Sequence, residues 1–107
     1  MIHAPLSPAA LAERAGRVAD LLKAIGNPRR LMVLCQLVEQ GEMTVGALAD
    51  AVGLSQSALS QHLARMREDG LVAFRRERQT LWYRIADARI ATLLATLHQL
   101  YCREDAI

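Results

Sequence analysis

The sequence has little of several residue types. Aromatic residues make up 4% of the 107 residues, and there are two cysteines. So low a cysteine count excludes a small secreted scaffold held together by disulfides. No apolar run approaches the roughly 18 residues of a membrane span. No basic segment followed by an apolar one opens the chain, so we expect a cytoplasmic protein that contacts no membrane.

The patterns of catalytic sites are also lacking. The sequence contains no phosphate-binding loop, no ordered Ser/His/Asp set and no pair of carboxylates at catalytic spacing. The three histidines, His3, His62 and His98, lie in unrelated segments. We therefore expect a protein that is not an enzyme and that carries no cofactor.

What is abundant is small apolar side chains. Hydrophobic residues make up 52% of the chain, which favours a helical fold. A length of 107 residues predicts a single domain, residues 1–107. One copy of so short a chain buries a modest core, so apolar helices that dock between two copies would supplement it.

Cap residues and glycines divide the chain into predicted helices. The four pairs of start and stop signals are Ser7 and Gly26, Asn27 and Gly41, Thr44 and Gly53, and Ser55 and Gly70. After Gly70 the apolar period changes from 3.6 to 2, so residues 71–74 and 80–85 predict a hairpin across turn-like residues 76–79. Asp87 is expected to cap a last helix. The predicted fold is mainly α with a small β-hairpin, in the order α-α-α-α-β-β-α.

Residues 44–63 carry the pattern of a helix-turn-helix, with Gly53 in the turn. In its second helix an apolar stripe faces inward, and the opposite face has hydroxyl and amide groups that can hydrogen-bond base edges. The hairpin that follows is tipped by arginines, which suit phosphates and the minor groove. The predicted DNA-contacting residues are Ser55, Gln56, Ser57, Ser60, Gln61, His62, Arg65, Arg75, Arg76 and Arg78. His62 flanks the apolar stripe, so a packed histidine is an equal interpretation for it.

Three segments, residues 27–31, 55–63 and 70–72, resemble the ArsR/SmtB family of bacterial winged-helix repressors. This resemblance implies a homodimer built from the first and last helices and bound to a pseudo-palindromic double-stranded operator. Two metal motifs of that family are incomplete in this chain. Residues 44–48 lack the Cys-x-Cys motif, and Asp87-Ala88-Arg89 lacks the histidine of Asp-x-His. We therefore assign no metal ligands.

Cys35 and Cys102 occupy the positions of two cysteines in the sulfide-responsive, persulfide-sensing BigR/SqrR-like subgroup of the family. That resemblance implies that reactive sulfur species join Cys35 and Cys102 by a disulfide or a longer polysulfide, which releases the DNA. Thiol chemistry adds that a sensor cysteine needs some exposure and a stabilised thiolate.

Other interpretations stay open. The two cysteines are inert in one of them. In another, Cys35, His98 and Cys102 supply three ligands for a zinc-like metal, because His98 and Cys102 are four residues apart and share a helix face. A winged helix that binds proteins, or one that binds DNA without an effector, are the remaining alternatives.

Overall fold

The computed structural model describes residues 4–101. Within these residues, five helices and three short strands follow one another: α1 (Pro8–Ile25), α2 (Pro28–Gln40), β1 (Met43–Thr44), α3 (Val45–Val52), α4 (Gln56–Glu68), β2 (Val72–Glu77), β3 (Thr80–Ile85) and α5 (Ala88–Tyr101). The predicted winged-helix architecture is confirmed. No helix within these residues is long and apolar enough to cross a membrane.

Each of the first four helices begins at the predicted cap. Ser7 Oγ accepts from the Ala10 N–H at 3.2 Å, and Asn27 Oδ1 accepts from two amides of the first turn of α2. Thr44 and Ser55 do the same for α3 and α4, at 3.2 and 3.1 Å. These bonds satisfy amides that a helix start leaves without intrahelical partners.

The core lies where α2, α3, α4 and the sheet meet. Leu59, Leu63 and Met66, the stripe predicted for the second helix of the helix-turn-helix, are each 0% exposed. The other fully buried large side chains come from α2, α3, α5 and the segment before β2: Leu34, Leu37, Leu48, Leu71 and Leu94. Because α3 and α4 both bury apolar side chains in this one cluster, the angle between them is fixed by packing.

The sheet differs from the predicted two-stranded hairpin in one respect. The two-residue strand β1 pairs antiparallel with β3, so β3 lies in the centre of the order β1-β3-β2. Two residues are too few to show an alternating pattern, and the partner strand lies far along the chain. The sequence therefore held no local signal for β1.

The turn of the hairpin is also tighter than predicted. Pairing continues to Glu77 opposite Thr80, so only residues 78–79 form the turn instead of residues 76–79. Arg78 adopts φ 59°, the left-handed region that a two-residue hairpin turn requires at its first position. The turn thus forms without the glycine that usually supplies this conformation.

α1 contrasts with the rest of the molecule. Residues 11–20 are all exposed, and of the whole helix only Ile25 is buried. Two clefts of about 540 and 740 Å³ open between α1 and the ends of its neighbours. α1 therefore has an apolar stripe that residues 4–101 of one copy leave uncovered.

Candidate nucleic-acid interface and cysteine site

The polar face of α4 is presented to solvent. Ser57, Gln61 and Arg65 are exposed, and they follow one another at helical spacing. Ser55, Gln56 and Ser60 are exposed beside them, whereas His62 is half-buried. Since the opposite stripe of α4 is buried, these side chains lie on one surface that is free to approach a duplex.

One cation of this face is paired with the acid that caps the end of α4. Arg65 Nε lies 3.5 Å from Asp69 Oδ2, one turn further along. The Arg65 side chain stays 63% exposed, so its remaining N–H groups can still donate to a phosphate.

The hairpin of β2 and β3 is the wing of the winged helix. The arginines predicted at the wing differ in their surroundings. Arg76 and Arg78 are exposed, and within residues 4–101 neither takes part in an ion pair. Arg75 Nε lies 2.9 Å from Glu42 Oε2, and Arg75 Nη1 lies 2.8 Å from Glu77 Oε2. Its guanidinium also stands 5.5 Å from the Trp82 ring centre. Sequence reasoning singled out neither Glu42 nor Trp82, because their relation to Arg75 is created by the fold.

A second cation–π contact joins α4 to the wing. The Arg67 guanidinium lies 4.9 Å from the centre of the Phe74 ring, and Phe74 in turn packs against Tyr83 with ring centres 5.4 Å apart. These contacts tie the end of α4 to both strands of the hairpin. α4 and the wing therefore form one connected surface.

The structure describes one of the two cysteines that the sequence singled out. Cys35 is half-buried on α2, and Cys102 lies outside the described residues. α2 packs against α5, and His98 Nε2 lies 3.6 Å from Glu39 Oε1. Cys35 precedes Glu39 by one helical turn, and Cys102 follows His98 by four residues in sequence. Sequence positions near both cysteines thus meet where α2 contacts α5.

The metal alternative has two of its three ligands in the described region, Cys35 and His98. Among residues 4–101 no group of three or more histidine, cysteine or acidic side chains is placed to hold a metal ion. Within residues 4–101, the acid paired with His98 is Glu39, and the two form an ion pair when His98 is protonated.

A helix-turn-helix with an exposed amide-rich face, joined to an arginine-tipped hairpin, defines a winged-helix DNA-binding transcription regulator. Comparison with known proteins then gives the family. Residues 27–73 match the family described as bacterial regulatory protein, arsR family. The transcriptional activator HlyU of Vibrio cholerae is 43% identical over 102 residues, which are 95% of this chain and 94% of that protein. The chain belongs to the ArsR family.

Solved structures agree with this assignment. Reduced HlyU from Vibrio cholerae superposes with a TM-score of 0.82 at 44% identity, covering 88% of this chain and 98% of that one. The transcriptional repressor BigR from Xylella fastidiosa superposes with a TM-score of 0.78 at 39% identity, covering 92% and 100%. The likeness therefore extends beyond the helix-turn-helix to the terminal helices.

Proposed function

We propose that this protein is a homodimeric cytoplasmic repressor that binds a pseudo-palindromic operator and releases it when reactive sulfur species bridge Cys35 and Cys102. The observation that carries the sulfur part of the proposal is the contact between α2, which bears Cys35, and α5, whose described part reaches Tyr101, the residue before Cys102 in the sequence. The likeness to BigR, a protein named as a repressor, supports the direction of control.

Dimerisation is supported by the apolar side chains that one copy leaves uncovered. Leu11, Val18 and Leu22 of α1 are 51–57% exposed, and Leu100 and Tyr101 of α5 are 57% and 79% exposed. The exposed stripe on α1, together with two exposed apolar side chains at the end of α5, fits a twofold interface in which each copy covers the other. A twofold dimer presents two α4 helices, which suits half-sites about 34–36 Å apart.

In such a complex, α4 reads the major groove. Gln61 and Ser57 carry groups that pair with base edges, while Ser55, Gln56, Ser60, His62 and Arg65 border them. Arg76 and Arg78 at the end of the wing supply positive charge for phosphates or the minor groove. Arg75, by contrast, is already engaged by Glu42 and Glu77.

The sulfur chemistry balances without an outside oxidant other than the persulfide. One cysteine thiolate attacks the outer sulfur of a low-molecular-weight persulfide. That sulfur is transferred to the cysteine, which becomes a protein persulfide, and the rest of the small molecule departs as a thiol. The second thiolate then attacks the inner sulfur, and hydrosulfide departs as the disulfide forms. If both cysteines are first persulfidated, the same displacement gives a trisulfide and one hydrosulfide.

A bridge from α2 to the last helix would act at the dimer interface. α5 carries the exposed residues Leu100 and Tyr101, and α2 packs against the helix-turn-helix. A covalent tie between α2 and the end of α5 therefore changes how the two recognition helices are spaced. Because the half-sites have a fixed separation, a small rotation lowers affinity for the operator.

Intact mass of the reduced protein after exposure to glutathione persulfide tests the proposal, with DNA binding followed in parallel. The DNA is a duplex that the wild-type protein selects from a random-sequence library, and a scrambled duplex serves as control. We expect a mass change of two hydrogens lost, with or without added sulfur, together with weaker binding of the selected duplex. Cys35→Ser and Cys102→Ser should each abolish the cross-link and keep the protein on DNA.

Unchanged mass and unchanged binding would discard the sulfur switch while leaving DNA binding intact. In that case zinc titration of the wild type and of His98→Ala tests the metal interpretation. If the protein selects no sequence from the library, the operator-binding proposal itself fails.

A further inference from the structure

The Arg75 side chain is held by three groups of the protein. Its Nε lies 2.9 and 3.2 Å from the two carboxylate oxygens of Glu42, and its Nη1 lies 2.8 Å from Glu77. The Trp82 ring lies 5.5 Å away on the neighbouring strand, opposite Arg75 in the register. A planar guanidinium shared among two carboxylates and a ring has little rotational freedom left.

Glu42 is the partner that connects Arg75 to a distant part of the chain. It lies 33 residues before Arg75, directly before β1, whose residue Thr44 caps α3. The Glu42–Arg75 ion pair therefore links the start of the helix-turn-helix to the middle of the wing. The hydrogen bonds that Arg75 donates, to Glu42 first and to Glu77 second, raise the pKa of Arg75, so the guanidinium keeps its charge while it is bound to them.

We infer that Glu42 and Arg75 are positioning residues for DNA binding, which fix the angle of the wing relative to α3 and α4. Through this ion pair, Arg76 and Arg78 are held where they reach the DNA backbone while Gln61 reaches the bases. The inference rests on the proposed DNA-binding function and adds to it two residues that act without touching DNA. Because the wing is already restricted before binding, less conformational entropy is lost when the protein associates with DNA.

A direct contact from Arg75 to phosphate makes the opposite prediction for Glu42. Removing an acid from a DNA-binding surface ordinarily strengthens binding, because it lowers repulsion of the phosphates and here would release Arg75. If Glu42 positions the wing, its neutralisation weakens binding instead. The sign of the effect of Glu42→Gln therefore separates the two roles.

The experiment measures affinity for the library-selected duplex over a range of salt concentrations. We expect Glu42→Gln to weaken binding about threefold, the size of effect that an exposed ion pair of good geometry can produce. Glu68→Gln removes the same charge from the exposed end of α4, where residues 4–101 provide no ion pair for it, and should leave affinity unchanged or raise it.

Further variants keep the test independent of folding. Arg75→Gln should leave the slope of log affinity against log salt at the wild-type value, whereas Arg76→Ala should lower it by about one phosphate contact. The exchanged pair Glu42→Arg with Arg75→Glu should recover part of the affinity that Arg75→Glu alone loses, because Glu77 still repels the new carboxylate.

Stronger binding by Glu42→Gln, or a reduced salt slope for Arg75→Gln, would overturn the positioning role and make Arg75 a phosphate contact. Neither result affects the proposed function, which fails separately if the wild type prefers no sequence over the scrambled duplex.

Discussion

The body of the molecule and its two extremities obey different physical constraints. The body, which comprises α2, α3, α4 and the root of the wing, holds most of the fully buried large side chains, and its helix caps are satisfied locally. In α1 and at the wing tip, apolar stripes and arginines are exposed, and Arg78 has a backbone conformation that favours glycine. The apolar residues of the body are explained by its own packing. The sequence of the extremities fits the second copy and the DNA that we propose they contact.

The largest expected effect tests this contrast with one chemical change at two sites. Leu63→Ala, in the body, should lower the free energy of unfolding by about 2–5 kcal/mol, because Leu63 is fully buried. Leu22→Ala, in α1, should lower it by less than about 1 kcal/mol in dilute solution, because the Leu22 side chain is already 52% exposed. Urea unfolding at low protein concentration measures both. Equal losses would mean that α1 is part of the same folding unit as the core.

The second prediction concerns the surface of α1. Val18→Asp should weaken self-association by at least about 2 kcal/mol, roughly thirtyfold, because a carboxylate would be buried without a partner between two copies. Ala51→Asp introduces the same group at an exposed position of α3 and should leave association unchanged. Sedimentation at several concentrations distinguishes the two. Identical dissociation constants would remove α1 from the dimer interface.

Third, the two faces of α4 should separate stability from specificity. Gln61→Ala should leave unfolding nearly unchanged but reduce the preference for the selected over the scrambled duplex by about tenfold, within the range of about 1–3 kcal/mol for a base-edge contact. Gln40→Ala, at the exposed end of α2, is the matched control. An unchanged preference in Gln61→Ala would show that the reading face lies elsewhere.

A smaller effect is expected at the wing tip, and there stability and binding should move in opposite directions. Arg78→Gly should raise the free energy of unfolding by about 0.5 kcal/mol, the balance between relief of left-handed backbone strain and the greater entropy of an unfolded glycine. The same change should weaken binding to every duplex and lower the salt slope by about one. Thermal unfolding and anisotropy titrations measure the two effects. For Gln79→Gly, which relieves no such strain, we expect slight destabilisation.

The smallest effect is a dependence of stability on acid pH at the start of α5. Hydrogen bonds from the Arg89 side chain, and then from its backbone N–H, lower the pKa of Asp87 from 3.8 to about 2. The folded pKa is below the unfolded one, so this stabilisation is fully present above pH 3.8 and is lost as the pH falls through about 2. Asp87→Asn should flatten stability across that window in acid titrations monitored by circular dichroism. An unaltered acid profile would contradict the assignment.

Local interactions made much of the fold predictable. The caps Ser7, Asn27, Thr44 and Ser55 were recognisable because each bonds an amide two or three residues away. The apolar stripe of α4 was recognisable because its apolar residues recur at the helical period and the same residues are buried. What the sequence did not reveal depends on distant pairs, namely β1 against β3 and Glu42 against Arg75. The sequence also placed Arg75, Arg76 and Arg78 in one group, since a run of like charges does not show which member the fold will engage.

Thr44 has a consequence for protein engineering. Its backbone pairs with Trp82 in the sheet, and its side chain caps α3. The wing and the helix-turn-helix therefore cannot be exchanged independently of each other. Transplanting a recognition helix from a relative into this chain would require residues 42–44 to be carried with it. A graft limited to α4 would give a helix of new specificity on a wing still adjusted to the old one.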